Sequence, residues 1–272
     1  MGYYSRLSKS FEGALRLPLT NTSRYVLIGD CHRGTGTQND NFLKNKHIYY
    51  AALQYYYRNG FTYIEMGDGD DLWENRSFEQ IFEAHKEVFE LLSLFRRQNR
   101  LFMLYGNHDM IKKTHPEFFP DMTFYSSIIL GNPPFDIYLT HGHQTDLFNS
   151  DFWKLSRFLV RYIWKPLEHL GISDPTSAAK NYKRKKLTEK RLNYWAENEK
   201  HILITGHTHR PVLYDTGSYY CNCGCCVHPY SITCIEIEQK NIRLVKWSVS
   251  TRADMMLGVR REVIEQTYYF LQ

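Results

Sequence analysis

Eight polar residues stand just beyond short apolar runs. Asp30 and His32 follow "YVLI", Asp68 follows "YIEM", and Asn107 and His108 follow "LFMLY". His141 follows "IYLT", and His207 and His209 follow "ILIT". Carboxylates, an amide oxygen and imidazoles are the donors that hold divalent cations such as Mn, Fe or Zn. Three oxygen donors and four imidazoles exceed the needs of one ion and suit two ions sharing a bridging carboxylate. Two ions ~3.5 to 4 Å apart suit phosphoryl chemistry: both bind phosphate oxygens, and water between them becomes hydroxide near neutral pH. Glycines at 29, 67, 106, 142 and 206 permit the tight turns that aim such side chains at one point.

The apolar runs are short, β-prone and end in turn signals, so each reads as a buried strand. Between the first three lie helical patterns, over about 41–58 and 78–98. Strand, helix, strand, helix, strand predicts βαβ units and a parallel sheet. Ligands then bind beyond the carboxyl ends of the strands. After His209, strands near 212–214, 231–238 and 242–249 with short turns predict an antiparallel section, and so a second sheet. Residues 146–200 fit neither scheme and read as helices broken by a turn over 171–177. They are an insertion within one domain covering 1–272.

The strings "GDCH", "GDGDD", "GNHD", "HGH" and "GHTH", in this order, resemble the calcineurin-like metallophosphoesterase family over about residues 24–250. The resemblance implies an α/β fold, a four-layer αββα sandwich of two mixed sheets flanked by helices, here with a helical cap insertion. It implies two divalent ions. Asp30, His32 and His209 resemble ligands of one ion, and Asn107, His141 and His207 those of the other. Asp68 resembles the bridging ligand. His108 resembles the general acid that protonates the leaving oxygen, oriented by Asp109. The expected activity is hydrolysis of a phosphate monoester, diester or pyrophosphate bond. A nuclease, or a scaffold that has the fold without turnover, are the alternatives.

Three local features remain open in the sequence. In "GDGDD" the spacing favours Asp68, leaving Asp70 and Asp71 as supporting or capping residues. In "HGH" the family pattern favours His141 and leaves His143 to line the pocket. Arg33 either grips a phosphate or forms a surface ion pair. His47, His85, His115, His169, His201 and His228 have no motif around them and read as structural. Five of the six cysteines lie between 221 and 234. Their spacing is not that of a zinc site, so packed, reduced thiols are expected, with a metal or redox role as the alternative. "CNCGCC" also resembles the turn that follows the last histidine motif in this family. That would set Cys223 and Cys225 near the crevice, where thiols are sensitive to oxidation.

The chain has 272 residues, 43% hydrophobic and 23% charged. That excludes a disordered, collagenous or coiled-coil protein. No apolar stretch near the N-terminus reads as a signal peptide, and none approaches the ~20 residues of a membrane helix. A cytoplasmic protein is the expectation. The net charge is +5, and residues 146–200 alone carry twelve Lys/Arg against seven Asp/Glu, a surplus equal to the whole. The same stretch is rich in aromatic residues. Both its ends adjoin metal motifs, which predicts a cap over the crevice. Its position and character are like those of the UDP-2,3-diacylglucosamine pyrophosphatase branch. The expected partner is an anionic phosphorylated small molecule or a lipid–nucleotide conjugate, met by Lys183 and Arg184 among others. Nucleic acid is the less favoured partner.

Overall fold

The computed structural model describes residues 2–37, 40–115, 122–132, 135–146, 150, 152–164, 181–214 and 218–268. The turn expected over 171–177, and His169, lie outside them. The strands are β1 (Leu15–Leu17), β2 (Arg24–Ile28), β3 (Thr62–Met66), β4 (Leu101–Leu104), β5 (Phe124–Tyr125) and β6 (Ser127–Asn132). They continue as β7 (Phe135–Thr140), β8 (Ile202–Thr205), β9 (Tyr220–Asn222), β10 (Ser231–Glu238), β11 (Asn241–Thr251) and β12 (Leu257–Tyr268). One sheet runs β1-β6-β7-β8-β9, the other β12-β11-β10-β2-β3-β4-β5. In the second, β2 to β5 are parallel, and β10, β11 and β12 are added antiparallel. The five-stranded sheet is also mixed, with β6 and β7 antiparallel and β7, β8 and β9 parallel.

Three apolar layers separate the elements. Leu27, Ile64, Leu104, Leu139 and Ile204 are among the side chains filling the space between the sheets. Helix Lys46–Arg58 turns Ile48, Tyr49, Ala52, Leu53 and Tyr56 inward. This is a one-sided stripe at helical spacing, packed with residues of helix Lys86–Arg97 on the outer face of the seven-stranded sheet. Leu7, Leu192, Trp195 and Ala196 cover Leu203 and Tyr220 on the other outer face. The result is two mixed sheets flanked by helices, an α/β sandwich.

Three sequence expectations change. The helix expected over 78–98 is two, Phe78–Ala84 and Lys86–Arg97. The break is at His85, whose Nε2 is tied to Asp40 Oδ2 at 2.8 Å. Near Val212 there is one bridge to Asn222 rather than a strand. Helix Tyr182–Glu199, within the insertion, buries Leu192, Trp195 and Ala196 and so forms an outer layer of the sandwich rather than a free cap. Asn181 starts it, its side chain accepting from the backbone N–H groups of Lys183 and Arg184, as N-caps do. Among the described residues, no helix is long and apolar enough to cross a membrane.

Candidate metal centre

The carboxyl ends of β2, β3 and β4 meet those of β7 and β8 at one rim. Each sends a short loop there, and five loop residues take left-handed backbone: Asp30, His32, Asp68, His207 and His209, with φ between 49° and 69°. That conformation costs a non-glycine residue roughly 1 to 2 kcal/mol. Such strain persists where the surroundings over-determine it, as at functional sites. Two glycines permit the convergence by lacking a side chain. A Cβ on Gly106 would collide with Oδ1 of Asp68, and one on Gly206 with Oδ2 of Asp30.

The side chains fall into three groups able to hold a cation: Asp30, His32 and His209; Asp68, His141 and His207; and His32, Asp71 and His108. In the first, Nε2 of His209 is 3.1 Å from Asp30 Oδ1 and 3.2 Å from His32 Nε2. In the second, His141 Nε2 is 3.2 Å from Asp68 Oδ2 and 3.2 Å from Asn107 Oδ1. Asp68 Oδ2 is also 3.8 Å from His32 Nε2, so one carboxylate reaches both groups. These are separations of donors around a shared ion. Nε2 of His207 is buried without a hydrogen-bond partner among the described residues, an unmet need that a cation satisfies. The donors fit divalent metal ions.

Backbone and supporting contacts hold the donors in place. Asp30 accepts from the N–H of His207 at 3.1 and 2.9 Å, and Asp68 from that of His108 at 2.8 Å. Nδ1 of His141 faces the Met66 carbonyl at 2.9 Å, leaving Nε2 toward the donors. Ligating imidazoles are commonly oriented this way. Asn222 donates to the Gly206 carbonyl and accepts from Gly224 N–H, so "CNCG" props the last histidine loop.

Burial raises the Asp68 carboxyl, but His141 and His108 more than offset this and hold it well below the usual carboxylate range. Burial lowers His32 and His141, yet neighbouring carboxylates lift each to about 9. Burial and then His141 push His207 down to about 3. Its imidazole is therefore neutral, the form that binds a metal. Burial, followed by His141 and His207, also lowers His143. That residue is buried beside His141, ring centroids 5.5 Å apart.

Three sequence expectations are corrected. Arg33 does not face a phosphate, nor the surface: it is fully buried, with Nη2 2.9 Å from Glu65 and Nε 2.7 Å from Asp70. Asp109 does not orient His108. Its carboxylate accepts from Lys112 Nζ at 2.7 Å and from the N–H groups of Gly106 and Gly69. Asp71 takes that place, with Oδ1 3.2 Å from His108 Nδ1. Trp73 stacks on the same imidazole, centroids 4.5 Å apart and planes 21° from parallel. The "GDGDD" run pointed to Asp71; nothing in the sequence pointed to Trp73. The cysteines near the rim are enclosed rather than offered to the crevice: all six are free and buried. Burial raises the Cys223 thiol well above its ordinary value and that of Cys225 to about 12, which disfavours the reactive thiolate.

The insertion touches this rim. Arg161 donates to the carbonyls of Trp73, Leu72 and Asn75 at 2.8 to 2.9 Å. Glu189 accepts from Thr208 within "GHTH" at 3.1 Å. Lys183 is exposed at the start of its helix, and Arg184 is 3.7 Å from Asp146.

The model of the calcineurin-like phosphoesterase family matches residues 23–211. Among curated protein sequences none matches. A conserved uncharacterized protein (predicted phosphoesterase) from Streptococcus pneumoniae TIGR4 is a similar solved structure. It is 14% identical, with TM-score 0.39, covering 90% of this chain and 99% of that one. Vps29 of Chaetomium thermophilum is another, 9% identical, with TM-score 0.46, covering 92% and 99%. The loops from Asp30 to His209 that carry the candidate donors all fall within the matched residues, and the chain belongs to the calcineurin-like phosphoesterase family.

Proposed function

We propose that the protein is a dinuclear metal-dependent phosphoesterase acting on an anionic, partly apolar phosphorylated substrate. The observation that carries this is the position of Asp68. One carboxylate stands between an Asp30–His32–His209 group and an Asn107–His141–His207 group. Bound divalent ions supply Lewis acidity toward phosphoryl oxygens and a nucleophile at neutral pH. Mixed nitrogen and oxygen donors accept Mn, Fe or Zn according to availability.

The chain's own residues do the rest. Asp30, Asp68 and Asn107 provide oxygen donors, and His32, His141, His207 and His209 provide nitrogens. His108 is not needed as a ligand. With Nδ1 held by Asp71, its Nε2 carries the proton given to the leaving oxygen. Trp73 fixes the plane of the ring. The insertion sets the substrate class. Phe152, Leu155, Phe158 and Tyr162 are exposed on one segment, and a basic helix start stands at Lys183 and Arg184.

The test is an assay with Mn²⁺ of an aryl phosphomonoester and a bis-aryl phosphodiester. Wild type is compared with Asp68→Ala and His108→Ala. Turnover in wild type, with loss of at least about a hundredfold in both variants, is expected. No turnover of either ester by folded, Mn²⁺-loaded wild type sinks the proposal. So does full activity in both variants.

A further inference from the structure

We propose that β12 is a self-pairing edge, at which two copies of this chain join into one continuous sheet. β12 ends the seven-stranded sheet, paired on one side only among the described strands. It has 12 residues, about twice the usual strand length. Apart from Tyr268, whose carbonyl accepts from Tyr214 Oη at 3.0 Å, such an edge offers a row of N–H and C=O groups, and so a template for another chain. The ribbon it forms with β11 also leaves Val249, Met255, Met256, Leu257, Val259 and Val263 exposed.

The order of charges selects the occupant. Arg260 and Arg261 lie in the first half of the strand, Glu262 and Glu265 at and beyond its middle. Parallel, in-register pairing of two copies would set like against like, which is destabilising. Antiparallel pairing about a two-fold axis sets Arg260 opposite the partner's Glu265. Symmetry repeats that contact, and with Ile264 outside the register it also sets Glu262 against the partner's Glu262 on the axis, one like pair against two opposite ones. The same register sets Leu257 opposite the partner's Tyr268, both exposed.

A break in the strand makes this register work. Arg260 and Glu265 are an odd number of residues apart, so a regular strand would point them to opposite faces. The register with β11 shifts between Leu244 and Val245, so that Ile264 has no partner. Arg260 then lies opposite Ser248 and Glu265 opposite Leu244, both even-numbered positions of β11 and so on one face. Leu257 and Tyr268 lie opposite Thr251 and Asn241, on the other. Bulges usually blunt an edge; here one brings the opposite charges onto a common face. Arg261 is already engaged in the chain, with Glu236, whereas Glu262 is only a register neighbour of Lys246. Arg260 and Glu265 are exposed and enter no ion pair among the described residues.

Sedimentation velocity on the full chain, over a concentration series up to about 100 µM, reads the dimer directly. Wild type is expected to dimerise. Arg260→Glu sets carboxylate against carboxylate twice and is expected to weaken the dimer roughly tenfold or more. Glu265→Arg is expected to do the same. The double variant Arg260→Glu/Glu265→Arg restores opposite charges and is expected to recover the dimer. Circular dichroism and melting verify that each variant folds. A wild type that stays monomeric throughout overturns the proposal. So does a dimer indifferent to both single reversals, or a double variant that fails to recover.

Discussion

Nδ1 of His108 faces Oδ1 of Asp71 at 3.2 Å, although Asp109 is its neighbour in the chain. Two carboxylates of similar sequence prominence thus do different work. Asp71→Asn is expected to lower kcat about tenfold to a hundredfold with melting nearly unchanged. Asp109→Asn removes the charge facing buried Lys112 and is expected to destabilise the fold by about 3 kcal/mol or more. Kinetics and urea unfolding of the two variants separate the roles, and the reverse pattern would refute the assignment.

Arg33 offers a sharper contrast. It is enclosed by Glu65 and Asp70, so its removal leaves two buried carboxylates with Lys112 as the one cation near them among the described residues. Arg33→Met is expected to cost about 3 to 5 kcal/mol of stability. KM is expected to change little in whatever folds. A raised KM at full stability would mean that Arg33 meets substrate after all.

Acid stability should depend on Asp40. Burial raises its carboxyl, but the bond to His85, followed by the N–H groups of Gly36 and Gly34, brings it below its ordinary value of 3.8. The unfolded chain therefore binds the proton more readily. The contribution is fully present above roughly pH 4 and is lost as pH falls through the lowered folded value. Asp40→Asn is expected to melt lower than wild type at pH 7, with the gap closing toward pH 3. Melting temperatures across that range check it; a gap that widens in acid would contradict it.

The insertion predicts a split between binding and chemistry. Lys183→Gln with Lys186→Gln removes exposed charge at a helix that reaches the "GHTH" loop through Glu189. KM for an anionic ester is expected to rise several-fold, less so in high salt, where screening shortens the reach of charge. Arg161→Ala frees the loop that carries Asp71 and Trp73 and is expected to lower kcat instead. Steady-state kinetics at two salt concentrations distinguish the two effects.

Much of the rim was legible because it is local. A short apolar run followed by Gly and Asp, Asn or His encodes strand, turn and donor within a few residues, as at Asp30, Asn107 and His207. The hidden parts depend on distance. Asp71 and Asp109 look alike beside their motifs, and only the packing of Lys112 and Trp73 tells them apart. His85 reads as one more residue of a helical stripe until Asp40, far away in the chain, ties its ring and breaks the helix.

The family, the order of the donor motifs and the gathering of excess charge in residues 146–200 are legible before folding, since they reside in composition and short-range spacing. That Arg33 is enclosed rather than offered to a phosphate emerges only once the chain is folded. So do the reach of Asp68 to both donor groups and the place of part of the charged insertion in an outer layer of the sandwich. One cause underlies all three. Burial and ion pairing are set by which segments meet in space, and a carboxylate, a guanidinium or a basic helix carries no local mark of what it will face.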